Sequence, residues 1–400
     1  MKATLLATLA FATAPLLAVG HENLPVWIPE SSGKVENGEA GSVAHTRLRI
    51  LATEAKPNAT VSSTSINTPV TIRGAYELPA TGGQGAIAIV DAYHYPTSLA
   101  DFNTFSKTYG LPQETSTQPT ASGNKTFEVV FASGRQPQSG GSYIASWNLE
   151  EALDIEWAHA LAPSAKIYLV EAASSNTSDL MRAVQVAARL SGVREVSMSW
   201  GSGESRTETS YDSYFSVSDV TFFASGGDAT DELEWPSASP NVVSVGGTTL
   251  NRNSSGALTS ETVWDDTGCG ISKYEMRPTF QNVISSDVGN HRGANDVAFD
   301  ADPNTGVLVY DSTPLYNEAG WWTVGGTSVG SPSWAGVVNL ASVENQAATG
   351  GQAEDNRLYE NLGDGETFRD ITSGQDGDED GTSGWDQPTG LGSPLGLGGK

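Results

Sequence analysis

The chain has 400 residues, enough for one large α/β domain with a full hydrophobic core or for two or three smaller domains. Its 21 basic residues stand against 47 acidic ones, and the resulting net charge of −26 repels phosphates and anionic headgroups, which argues against nucleic acid or a membrane surface as partner. A single cysteine, Cys269, leaves no internal disulfide and no cysteine-built zinc cluster.

Lys2 precedes an apolar run from Thr4 to Ala18, and Ala18 and Gly20 put small residues where a signal peptidase inspects the chain. Residues 1–20 therefore read as a secretory signal, and no later stretch is long and apolar enough to span a bilayer. Residues 21–68 are polar and rich in Ser, Thr, Asn and Pro, interrupted only by the apolar patch 46–52; they read as a short pro-segment or linker. Asn-x-Ser/Thr triplets stand at Asn58, Asn124, Asn176 and Asn253, and count only in a host that glycosylates.

From about residue 69 to 400 the texture is that of one α/β domain. The apolar run 85–90 predicts a strand buried on both faces. Residues 147–161 carry Leu149, Leu153 and Trp157 four apart, which predicts an amphipathic helix stopped by Pro163. Residues 166–170 predict a strand and 179–190 a helix closed by Gly192; further strands are predicted over 193–200, 220–224 and 242–245. Alternating strands and helices imply a mostly parallel central sheet with helices on both faces, and active residues beyond the carboxyl ends of its strands.

Three features could carry chemistry. In Gly325-Gly-Thr-Ser-Val-Gly-Ser-Pro332 the proline fits only the first turn of a helix, so Ser328 lies close to a helix N-terminus, where backbone N–H groups favour an oxyanion. The plainer reading is an N-cap. A nucleophilic serine usually takes a histidine as base, yet His21, His45, His94, His159 and His291 all lack fitting surroundings. Carboxylates are the alternative: Glu150 and Asp154 are four apart on one helix face, although Glu151 with Asp154 serves almost as well, and spacing does not choose. Asp228 follows a buried strand and a Gly-Gly turn, either as a turn residue or as a site carboxyl.

In order, these pieces resemble the sedolisins, the serine-carboxyl peptidases of subtilisin-like fold. The likeness runs from about Pro69 to Pro394. It rests on Ile87-Ala-Ile-Val-Asp-Ala-Tyr93, Leu149-Glu-Glu-Ala-Leu-Asp-Ile-Glu-Trp-Ala-His-Ala160, Ser197-Met-Ser-Trp-Gly201, Ser225-Gly-Gly-Asp228, Ser237-Ala-Ser-Pro-Asn-Val-Val-Ser-Val-Gly-Gly247, Gly325-Gly-Thr-Ser328 and Gly384-Trp-Asp-Gln-Pro-Thr-Gly-Leu-Gly-Ser-Pro394. The resemblance implies Ser328 as nucleophile, Glu150 as general base, Asp154 hydrogen-bonded to Glu150, and Asp228 as part of the oxyanion hole. It also implies one structural Ca²⁺ held by the carboxylates of Asp370 and Asp386 and the main-chain oxygens of Ile371, Thr382 and Gly384. The neighbouring run Asp376-Gly-Asp-Glu-Asp380 reads as an exposed solvated loop. Two departures stand out: Val329 replaces the small residue that usually follows the serine, and the stretch before residue 69 is far shorter than the family's pro-domain.

An all-carboxyl set points to acid. Free Glu titrates near 4.3, and Asp228 can donate to an oxyanion only while protonated. The expectation is thus a secreted, monomeric, acid-acting endopeptidase that forms an acyl-enzyme on Ser328 and acts on peptides or proteins. A catalytically idle, secreted binding protein of the same fold is the alternative from another class, and a Ser-His-Asp enzyme is a third.

Overall fold

The computed structural model describes residues 25–33, 41–51, 66–253, 255–345 and 352–400. The predicted signal segment and Asn58 lie outside the described residues. The central sheet contains β1 (Ala86–Ala92), β2 (Phe127–Phe131), β3 (Lys166–Ala172), β4 (Val193–Met198), β5 (Thr221–Ser225), β6 (Val243–Arg252), β7 (Leu258–Val263) and β8 (Val297–Asp300). Their order is β7-β6-β5-β4-β1-β3-β2, with β8 also paired to β6; every pairing is parallel except β6 with β7. The predicted strands all form, several of them a few residues longer than the apolar runs that announce them.

Because side chains alternate across a strand, β1 feeds two cores. Ile87 and Ile89 join Leu149, Leu153, Trp157 and Trp334 on one side of the sheet. Ala88 and Val90 join Leu180 and Val184 on the other. The first side is covered by α1 (Ser142–Leu161) and α3 (Gly330–Asn345), the second by α2 (Thr177–Ala187). Helices thus lie on both faces, as the alternation of elements implies.

One prediction needs correcting. The helix carrying Glu150 is not amphipathic: every residue of α1 from Ile144 to Leu161 is buried. Besides the sheet and α3, it meets the antiparallel hairpin of β9 (Val307–Leu315) and β10 (Glu318–Gly325), and the Trp157 indole N–H donates to the Leu308 carbonyl at 3.0 Å. A helix covered on every side must bury its polar residues as well, which is how Glu150, Glu151, Asp154 and Glu156 come to be out of water.

The stretch before residue 69 is ordered where it is described. Val26–Trp27 pairs with Arg49–Leu51, which in turn pairs with β10, and His45–Thr46 pairs with Trp200–Gly203. Among the described residues no helix is long and apolar enough to cross a membrane.

Candidate active site

Three segments converge beyond the carboxyl ends of the strands. Ser328 sits in the turn Thr327–Val329 that opens into α3, close to the helix N-terminus as its sequence implies. The turn needs Gly326: its φ is +98°, and a Cβ there would lie 2.2 Å from the Arg47 carbonyl oxygen and 2.6 Å from Asp228 Oδ2. Val329 does not crowd the nucleophile, because its side chain is buried in the apolar core. α1 brings Glu150 and Asp154 to the same place, and the segment after β5 brings Asp228.

The Ser328 hydroxyl accepts from the Arg47 N–H at 3.2 Å and donates to the Ser199 carbonyl at 3.3 Å. The Ser328 N–H donates to the Arg47 carbonyl at 3.1 Å. Glu150 is fully buried beside Ser328, and neither of its oxygens has a hydrogen-bond partner among the described residues. Burial is the main force raising its pKa well above the usual range. Asp91 and Asp228 add to the rise, while Ser328 and Arg47 oppose it. Asp154 does not bond Glu150 here; its Oδ1 accepts from the Ser199 hydroxyl at 2.8 Å. Burial, then Asp91 and Glu150, push its pKa well up.

Asp91 is the residue that pattern reasoning missed. It lies next to last in β1, fully buried, with neither oxygen hydrogen-bonded among the described residues, and burial raises its carboxyl to about 8. An acid ending a long apolar run was a readable signal, since a strand buried on both faces has no water to offer it. Asp91, Glu150 and Asp154 make a packed group of acids that favours holding protons over losing them.

Asp228 is held by the nucleophile's own turn. Its Oδ1 accepts from the Thr327 N–H and the Thr327 hydroxyl, both at 2.8 Å, and its Oδ2 faces the Arg49 guanidinium at 3.3 Å. Two of the histidines are engaged elsewhere: His94 Nδ1 meets Glu171 at 2.8 Å, and His159 Nε2 the Pro112 carbonyl at 2.8 Å. Burial lowers the His159 pKa to about 4. His291 begins the strand His291–Ala294.

The residues expected to hold calcium are brought together near the C-terminus. Asp370 Oδ2 accepts from the Ser383 hydroxyl at 3.2 Å and the Gly384 N–H at 3.1 Å. Asp386 accepts from the Thr382 N–H at 2.9 Å and from Thr389 N–H and hydroxyl at 2.9 and 2.7 Å. Among the described residues no group of three or more His, Cys, Asp or Glu side chains is placed to hold a metal. Two carboxylates with main-chain carbonyls are nonetheless a hard, all-oxygen donor set, and burial with help from Asp370 raises Asp386 to about 6. The set fits Ca²⁺. The nearby acidic run is only partly a solvated loop: Asp378 and Asp380 are exposed, but Asp376 is buried against Cys269 at 3.5 Å.

The profile of the subtilase family (Peptidase_S8) matches residues 138–357, more than half of the chain. Sedolisin of Pseudomonas sp. (strain 101) is 27% identical over 420 residues, covering 94% of this chain and 68% of its own length. Kumamolisin of Bacillus sp. (strain MN-32) is 31% identical over 403 residues, with 88% and 66% covered. The chain thus spans about two thirds of the length of each of these two relatives. Among solved structures, Pseudomonas sedolisin complexed with two molecules of pseudo-iodotyrostatin superposes with a TM-score of 0.68 at 25% identity, covering 82% of this chain and 95% of that one. A psychrophilic protease, S41, shares the fold at a TM-score of 0.50 and 18% identity. With its parallel sheet, its serine at a helix N-terminus and its carboxyls in place of a histidine, the chain belongs to the subtilase family and, within it, to the sedolisins, serine-type peptidases of subtilisin-like fold.

Proposed function

We propose that the protein is a secreted, calcium-stabilised endopeptidase that works in acid and cleaves peptide bonds through an acyl-enzyme on Ser328. The observation that supports this most directly is the company Ser328 keeps: a peptide carbonyl on its N–H, and buried carboxyls rather than a histidine behind its hydroxyl.

In this reading Ser328 Oγ attacks the substrate carbonyl and its proton passes to ionised Glu150. The developing oxyanion accepts from the Ser328 N–H, and Asp228 forms the other wall of the oxyanion hole. As the carbon–nitrogen bond breaks, Glu150 returns the proton to the leaving amine, and water then cleaves the ester by the same route. Asp154 and Asp91 act as positioning residues that share protons with Glu150 and hold it in the acid–base range. Burial is the first cause of the raised Glu150 pKa while residues 44–51 fill the cleft. Opening that cleft to water lowers the pKa and frees the base at acid pH. Ca²⁺ would be held by Asp370, Asp386 and the carbonyls of Ile371, Thr382 and Gly384, where it neutralises the paired acids and ties the C-terminal loops together.

The test is peptide cleavage by the purified chain from pH 2.5 to 8, beside Ser328→Ala. The reading predicts a maximum below about pH 5 that vanishes in the variant, with acid-dependent labelling of Ser328 by an aldehyde or phosphonate probe. Folded, calcium-loaded protein that neither cleaves nor labels at any pH points instead to an idle binding protein.

A further inference from the structure

The segment 44–51 lies across the active site in the manner of a substrate. The Ala44 N–H donates to the Ser175 carbonyl at 2.9 Å. His45 and Thr46 then run antiparallel to Gly201 and Trp200. On the far side of Ser328, Arg49 and Ile50 run antiparallel to Gly325 and Val324 of β10. Between these two ladders stands the Arg47–Leu48 peptide, its carbonyl on the Ser328 N–H at 3.1 Å. That N–H is the donor a serine nucleophile offers an oxyanion. Extended backbone, a ladder on each side and a carbonyl on the nucleophile's own amide together define one scissile position.

The Arg47 side chain shows what the adjoining pocket is built to take. Its Nε and Nη2 meet the two carboxylate oxygens of Glu234 as a fork on a fork. Its Nη1 donates to the carbonyls of Thr46 at 2.9 Å and His45 at 3.2 Å. Both partners of the ion pair are at least 95% buried, at 4% and 5% side-chain exposure. Glu234 is itself fixed, since Glu234–Trp235 pairs with Ser202 and Gly203, the continuation of the strand that carries His45 and Thr46. Asp228 and Glu232 line the same hollow and add negative charge. Burial raises the Glu234 carboxyl to about 7 while Arg47 opposes the rise, so a guanidinium keeps it charged and paired, and an uncharged side chain leaves it protonated with its hydrogen bonds unmet.

We propose that Glu234 makes this peptidase selective for arginine, and to a lesser degree lysine, on the amino side of the scissile bond, and that Arg47–Leu48 is the bond it cuts in itself. The proposal rests on the peptidase reading above. In the self-cleavage, Ser328 Oγ bonds the Arg47 carbonyl carbon and the bond to Leu48 nitrogen breaks. The serine proton reaches the new Leu48 amine through Glu150, and water releases the Arg47 carboxylate and restores Ser328.

Two measurements test it, and the first needs no variant. The acid-activated wild-type chain is given a peptide series differing only at the residue before the cut. Cleavage after Arg should exceed that after Leu or Gln by about 100-fold in kcat/KM, the scale expected when a buried polar group loses its partner. In Glu234→Gln, shown to be folded by circular dichroism, that ratio should collapse to within about tenfold. In the second, acid-treated protein is sequenced from its N-terminus. A new terminus at Leu48, absent in Ser328→Ala and slowed in Arg47→Ala, supports the proposal. Efficient cleavage after other residues, or a new terminus elsewhere, overturns the proposal and leaves the peptidase reading standing. No cleavage of any peptide overturns both.

Discussion

Asp91→Asn, made in a Ser328→Ala background to prevent self-digestion, tests whether the buried acids are stored as protonated groups. Asp91 is held at about 8 in the folded state, against 3.8 for an ordinary carboxyl. The folded state therefore keeps a proton that the unfolded chain releases. Stability from this group is full below about pH 4 and is lost as pH rises toward 8, because over that window the folded state binds more protons than the unfolded one. From 3.8 to pH 7 is about three pH units, and at about 1.36 kcal/mol each the loss is about 4 kcal/mol at most. That is a large share of the 5–15 kcal/mol of a typical domain. Asparagine has the same shape and no proton to lose. Acids raised by burial without any contribution from Asp91, such as Glu195 at about 8 and Glu354 at about 7, titrate in both proteins and cancel in the comparison. Guanidinium unfolding at pH 4, 5.5 and 7, with calcium constant, should show the variant gaining up to about 4 kcal/mol on its parent between the extremes. A difference that stays constant across that range refutes the reasoning and means that Asp91 is ionised or solvated in the folded state.

Two further substitutions and a chelation experiment probe separate parts of the design. Gly326→Ala must place a Cβ at φ +98° against the Arg47 carbonyl and Asp228, so it should cost at least about 1–3 kcal/mol in unfolding experiments and abolish turnover; an unchanged Tm would mean the segment 44–51 does not approach the turn so closely. Adding a chelator at pH 5 should lower stability by about 2.7 kcal/mol relative to calcium at 100 times its Kd, and Asp386→Asn should remove that response. A chelator effect that persists in Asp386→Asn places the ion elsewhere.

Much of this protein is legible along the chain because the physics there is local. Apolar runs such as 85–90 must be buried strands, and Pro332 marks the first turn of a helix. The order of the motifs carries the family. Tertiary structure alone decided the rest. No periodicity within 142–161 tells that α1 is covered on every side, because that follows from the hairpin of β9 and β10 more than 140 residues downstream. Asp91 became part of the acid group only through the sheet order that sets β1 beside α1 and α3. The polar stretch before residue 69 reads as a linker on composition, yet its Arg47 carbonyl rests on Ser328 and its Arg47 side chain on Glu234. Those partners stand 281 and 187 residues away. Sequence patterns report what a residue needs from its neighbours in the chain; which distant residue meets that need is set by the packing of the whole domain.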